Sequence, residues 1–201
     1  MQRAVAPRRA AGHYGDRVSS PPTLVVIVGP IASGKSTVAE ALGAALRGAG
    51  RHVAVLDLDD VVDTIGGFVG LAPEHFHRAQ VVFGQLVGSW LDQDVDVIAH
   101  GPFLSRDEEA TLVGALPDGI RPRRVLVTTP RSVAFERVAA DPDRQLSEYP
   151  EVLDAMYDRF EQLLPSVTPA EWSFDTANVD VEQIVGELVH ALGDGNPRIS
   201  R

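Results

Sequence analysis

Gly29-Pro30-Ile31-Ala32-Ser33-Gly34-Lys35-Ser36-Thr37 decides the fold of this 201-residue chain. The run has the form G-x-x-x-x-G-K-S, the pattern of a phosphate-binding loop. Lys35 is the only lysine in the sequence, and every other fixed cation is arginine. A compact ammonium on a flexible stem reaches between phosphate oxygens as a point charge, where a planar guanidinium fork is too bulky. The glycines allow the tight turn whose backbone N–H groups face an anion. A helix starting at Lys35 presents its positive end to the same anion.

Both flanks agree with that pattern. Upstream, Thr23-Leu24-Val25-Val26-Ile27-Val28 is a continuous apolar, β-branched run, the mark of a parallel strand buried on both faces. Downstream, Val38, Ala41, Leu42, Ala45 and Leu46 recur at helical spacing, and Gly48 and Gly50 close the segment. The competing reading, a Gly-rich turn with a solvated lysine, explains neither flank.

Farther along, strand-like and helix-like segments alternate. Val53-Ala54-Val55-Leu56-Asp57, Val95-Asp96-Val97-Ile98-Ala99, Arg124-Val125-Leu126-Val127-Thr128 and Trp172-Ser173-Phe174-Asp175 read as four more strands. Residues 73–91, 107–116, 130–140 and 150–164 read as helices. In the first of these the pattern places Phe76, Ala79, Val82, Phe83, Leu86, Val87 and Trp90 on one apolar face. Asp180 with Gln183 resembles a capping box that opens a last helix, striped by Val181, Ile184, Val185, Leu188, Val189 and Leu192. The alternation predicts an α/β three-layer sandwich around a five-stranded parallel sheet. Ligands of such sheets bind at the carboxyl ends of the strands.

The length suits one domain, expected over residues 23–193. Residues 1–22 set Arg3, Arg8, Arg9 and Arg17 among Ala, Gly, Pro and Ser without apolar periodicity. They are expected to be a disordered tail, with an arm that contacts a partner as the other reading. They lack the apolar centre of a signal peptide. Residues 194–201 are expected to be a second frayed end. A formal charge of −10 argues against a general nucleic-acid binder, which carries a basic face. The absence of cysteine excludes disulfides and thiolate metal sites. No apolar stretch approaches membrane-spanning length, and a cytoplasmic location is expected.

Asp57-Leu58-Asp59-Asp60 lies where the second strand gives way to a helix. Strand alternation would point Asp57 and Asp59 to one side and Leu58 to the other. Asp60 and Asp63 fall in the first helical turn, where carboxylates suit the dipole and capping explains them. Asp59, after a strand beside the phosphate loop, can accept the proton of a hydroxyl that attacks a γ-phosphate. Asp57 can hold a water of a magnesium shell, because Mg²⁺ takes one or two carboxylates and keeps several waters.

On the loop and the Asp57-Leu58-Asp59 pattern the chain resembles the small P-loop kinases related to shikimate kinase, gluconate kinase, chloramphenicol phosphotransferase and the polynucleotide 5′-hydroxyl kinase domain. The resemblance spans about residues 24–192. It implies ATP and Mg²⁺ as cofactors, with Gly29, Pro30, Ile31, Ala32, Ser33, Gly34, Lys35, Ser36 and Thr37 around the phosphates and Ser36 on the metal. It implies Asp59 as base, with Asp57 near magnesium. Arg137 and Arg144, seven residues apart around an Asp-Pro break, resemble the lid of these kinases, here about residues 140–149. There the first arginine lies over the adenine and the second reaches the phosphates during transfer. Surface ion pairs are the plainer reading of both. Tyr157-Asp158-Arg159-Phe160-Glu161 resembles the helix after the lid in the polynucleotide-kinase branch. Asp175-Thr176 resembles the turn beside the adenine, and ordinary capping explains it equally.

The acceptor side departs from the relatives. Shikimate kinases carry a Gly-Gly-Gly run after the third strand and an Arg-Pro-Leu lid signature; this chain has His100-Gly101-Pro102 and Arg144-Gln145-Leu146. Phe68, His100, Phe103 and Arg106 are the expected acceptor contacts, with Arg106 placed to bind an acidic group. His75 and His77, two apart in a helix, do not share a face and make no metal pair. The expected activity is ATP- and Mg²⁺-dependent phosphorylation of a hydroxyl on a small molecule, such as an antibiotic or other specialised metabolite. The runner-up acceptor is a nucleoside, nucleotide or polynucleotide 5′ end. A third reading is a non-kinase NTP-binding switch. Switches usually place a magnesium-linked Asp after a hydrophobic strand, and the third strand here ends in Ala99-His100. The sequence does not address oligomeric state.

Overall fold

Five strands, β1 (Leu24–Val28), β2 (Val53–Asp57), β3 (Asp96–His100), β4 (Arg123–Thr128) and β5 (Trp172–Asp175), form one sheet in the order β2-β3-β1-β4-β5. Every pairing is parallel. The structure is a computed structural model and describes residues 21–68, 70–101, 106–140, 150–166 and 169–193. Nearly all of the expected tails and lid, and with them Arg144 and Phe103, lie outside the described residues.

β1 sits at the centre, and each of its residues is 2% exposed or less. Its pleat sorts them between two cores. Val25 and Ile27 face a layer made by α1 (Lys35–Gly48) and α7 (Val181–Gly193). Leu24, Val26 and Val28 face α2 (Leu58–Asp63), α3 (Pro73–Leu91) and α4 (Arg106–Val113). A strand buried on both faces must be apolar at every position, which explains its unbroken run. A third, smaller cluster joins α5 (Arg131–Ala139) and α6 (Pro150–Leu163) to the loop after β1, through Ala32, Ala134, Val138, Leu153 and Tyr157.

Three local expectations are corrected. The first concerns α3, which buries Ala79, Phe83, Val87 and Leu91 but exposes Val82, Leu86 and Trp90, the last at 42%. Gly84 and Gly88 are the reason. They contribute nothing to a hydrophobic pattern, yet the end of α4 packs on Gly84 and Ala115 just beyond it packs on both, and this turns the buried arc of α3 toward the glycines. The second concerns Asp59, which is already helical in α2 and does not continue the strand alternation from Asp57. The third concerns Asp63. It is the last residue of α2 rather than part of its first turn, and the residue that caps α2 is Asp57. At α7 the capping box is half made: Asp180 Oδ1 accepts the Gln183 N–H at 2.8 Å, and the Gln183 side chain reaches Glu187 instead.

The glycine contacts give a prediction with opposite signs. A Cβ at Gly88 would stand 2.4 Å from the Ala115 carbonyl oxygen, whereas one at Gly186 in α7 meets nothing within 4 Å. Gly88→Ala is expected to destabilise the protein by about 1–3 kcal/mol through overpacking. Gly186→Ala is expected to stabilise it by about 0.5–1 kcal/mol through helix propensity. Denaturant titration of both variants measures the difference; a stable Gly88→Ala protein would contradict the close contact of α3 with Ala115.

Candidate active site

The loop joins the buried end of β1 to α1 at the carboxyl edge of the sheet. Gly29 lies so close beneath β4 that an added Cβ would fall 1.9 Å from the Val127 carbonyl oxygen. Gly34 takes φ +93° and leads into α1, where among the described residues no side chain caps the first N–H groups. Ala32 takes φ 56°, the left-handed region, although it carries a Cβ. Ser36 and Thr37 are exposed in the first turn of α1. Lys35 Nζ donates to the Pro30 carbonyl at 2.8 Å, so the ammonium lies over the loop it belongs to.

The carbonyls of Ile31, Ala32 and Ser33 are held by side chains from outside the loop. Arg137 Nη1 donates to Ala32 O at 3.1 Å and to Thr176 Oγ1 at 2.9 Å, and its Nη2 donates to Thr176 O at 3.0 Å. Thr176 Oγ1 donates in turn to Ser33 O at 2.8 Å. Tyr157 Oη donates to Ile31 O at 3.2 Å. Thus two residues that the sequence marks for the adenine side, Arg137 and Thr176, are braces of the phosphate loop. Sequence reasoning gives the Tyr157 hydroxyl no role. The available sign is a hydroxyl-bearing residue on the buried Leu153-Tyr157-Phe160 stripe of α6, where a buried phenol must find a partner.

Two strands away, β2 and β3 pair Asp57 with His100 in register. Asp57 Oδ1 accepts the Asp59 N–H at 3.0 Å, and its Oδ2 lies 3.4 Å from His100 Nδ1. His100 is 3% exposed. Burial lowers its pKa against the pull of Asp57, which favours a neutral imidazole. Burial raises Asp57, with His100 as the main opposing influence. Asp59 keeps contact with solvent but is crowded by protein, and desolvation followed by repulsion from Asp57 pushes its carboxyl up to about 6. The Lys35 charge acts on all three groups, lowering the pKa of Asp57, Asp59 and His100 alike. The fold therefore brings the lysine of one loop and the carboxylates of another into a single electrostatic site.

The acceptor residues are less evenly placed. Phe68 is half-buried, with its ring 5.9 Å from that of Phe76, and belongs to the core on the α2–α3 side of the sheet. His100 stands behind Asp57. Arg106 is the first residue of α4, and its side chain lies outside the described part. Arg159 pairs with Glu108 of α4 at 3.2 Å. No helix among the described residues is long and apolar enough to cross a membrane.

Comparison with curated proteins finds no match. Solved structures do match in fold. Shikimate kinase from Bacteroides thetaiotaomicron aligns with a TM-score of 0.64 and 17% identity, over 85% of this chain and 98% of that one. The Mycobacterium tuberculosis APS kinase CysC, in complex with AMPPNP and APS, aligns with a TM-score of 0.60 and 16% identity, over 86% and 99%. A chain of the Pnkp1/Rnl/Hen1 RNA repair complex aligns with a TM-score of 0.60 and 16% identity, over 76% of this chain and 48% of that one. At these identities the likeness establishes the fold, that of the P-loop kinases. The family model described as an AAA domain matches residues 24–163, from β1 through α6. With the loop, four of the five parallel strands and helices α1 to α6 inside that match, the chain belongs to this AAA domain family.

Proposed function

We propose that the protein is an ATP- and magnesium-dependent phosphotransferase acting on a hydroxyl group of a small molecule. The observation that carries this is Asp59: a carboxyl with a raised pKa, at the carboxyl edge of the sheet, within the field of the loop lysine. A nucleotide-binding switch needs no such group. A kinase needs a base whose pKa lies near its working pH.

In this reading the loop N–H groups and the start of α1 bind the phosphates, and Lys35 moves from Pro30 O to the transferring group. Asp59 takes the proton of the acceptor hydroxyl. Asp57, capping α2 and flanked by His100, fixes the turn that presents Asp59. Ser36 and Asp57 are hard oxygen donors and suit magnesium, which binds through few protein oxygens beside substrate phosphates. When bound, magnesium neutralises phosphate charge. Phe68, Phe103 and Arg106 are proposed to flank the acceptor, and Arg144 to close over the transferring group. The domain is proposed to span residues 23–193, with a lid near 140–149 and a cytoplasmic setting.

A polynucleotide 5′ end is the second acceptor, favoured by the fold shared with a chain of the RNA repair complex. The charge of −10 opposes it, because polynucleotide binding draws on phosphate contacts and is steeply salt-dependent. A mass-spectrometric screen of hydroxyl compounds with ATP tests the proposal. A small phosphorylated product, formed nearly independently of salt, is expected. Efficient, salt-sensitive labelling of oligonucleotide 5′ ends would select the second acceptor. ATP binding with no acceptor-stimulated turnover would select a switch.

A further inference from the structure

Three consecutive carbonyls of the loop, those of Ile31, Ala32 and Ser33, are each held by a side chain from a different part of the fold. Tyr157 comes from α6, Arg137 from α5 and Thr176 from the turn after β5. Between the outer two lies Ala32 at φ 56°. The left-handed region costs a residue with a Cβ about 1–2 kcal/mol. Such a conformation persists only where its surroundings over-determine it. In a trans peptide the N–H and C=O point in opposite directions. Holding the Ile31 and Ser33 carbonyls on side chains from outside the loop therefore fixes the direction of the Ala32 and Gly34 N–H groups that follow them, while the Ser33 N–H closes a turn on Pro30 O.

We infer that Tyr157 is a positioning residue for the nucleotide: its hydroxyl anchors the Ile31 carbonyl and keeps the loop in its phosphate-binding shape. The inference rests on the nucleotide-binding reading of the loop. Tyr157 is well suited to the task. It is 3% exposed and packs among Ala32, Ala134, Val138 and Leu153. Arg131 of α5 lies over its ring, 5.7 Å from the centroid, and pairs with Asp154, Asp158 and Glu161 on α6. These contacts fix α6 against α5 independently of the hydroxyl. The ring thus serves packing, and Oη serves the loop.

Tyr157→Phe keeps the ring and removes only Oη. Losing one such hydrogen bond is expected to weaken binding of a non-hydrolysable ATP analogue by about three- to tenfold, measured by calorimetry on the full chain. The KM for ATP should rise by the same factor, while kcat and the acceptor KM change less than about twofold, because the loop shape is a ground-state property. Arg131→Gln is the control. It loosens α6 without touching Oη, and is expected to lower Tm but leave analogue affinity within about twofold, as befits exposed ion pairs. If Tyr157→Phe binds the analogue as well as the unmutated chain, the inference fails and the nucleotide reading stands. If Arg131→Gln weakens binding as much, helix packing and not the hydroxyl is responsible, and the inference also fails. If the unmutated chain binds no analogue, both fall.

Discussion

Lys35→Met is expected to reduce phosphoryl transfer on the order of 10³-fold, as for removal of a group that stabilises transition-state charge in a dry site. The fold should survive. Lys35 is half-buried, and its ammonium donates to Pro30 O within its own loop. Losing that bond costs about 1 kcal/mol, small against the total stability of a domain. Methionine keeps the length and apolar stem of lysine while removing the charge. The decisive comparison is single-turnover transfer against Tm. A variant that is folded and fully active would remove the basis for the kinase reading. The variant should also relieve the field on the opposite loop: without the ammonium, the pKa values of Asp57 and Asp59 are expected to rise further, since Lys35 lowers both.

Asp59→Asn is expected to lower kcat by about 10²- to 10⁴-fold, the range for loss of a general base, with ATP binding retained. Asp57→Asn should instead raise the magnesium requirement, and exchanged phenotypes would reassign the base to Asp57. The pH dependence has a definite sign. Asp59 must be ionised to act, and its carboxyl is raised from an ordinary 3.8 to about 6. The kcat/KM of the unmutated protein is therefore expected to fall as pH drops through about 6. Stability runs the other way. A carboxyl whose folded-state pKa is raised stabilises the fold below its ordinary pKa, and that contribution is lost as pH rises through the raised one. Asp59→Asn should accordingly raise Tm at pH 8 while lowering kcat. A variant that loses both stability and activity would mean that Asp59 supports structure.

The sequence by itself determines the fold class. The loop, its buried strand and its helix occupy one continuous stretch, where glycine placement, β-branched residues and helical spacing act locally. The same holds for the strands at Val53–Asp57 and Trp172–Asp175, whose bounds match those of the sequence segments. Only the tertiary structure decides what meets across the sheet. The order β2-β3-β1-β4-β5 sets His100 beside Asp57 and brings both within the field of Lys35, although their sequence separations give no sign of it. It also turns Arg137 and Thr176 onto the loop carbonyls and places the hydroxyl of Tyr157 on a third. The buried arc of α3 follows the same rule, because Gly84 and Gly88 become contacts only when the end of α4 and Ala115 after it pack on them. The physical reason is one of range. Propensity and periodicity act over a few residues of chain, whereas burial, pKa and hydrogen-bond partners depend on neighbours that only the packed sheet supplies.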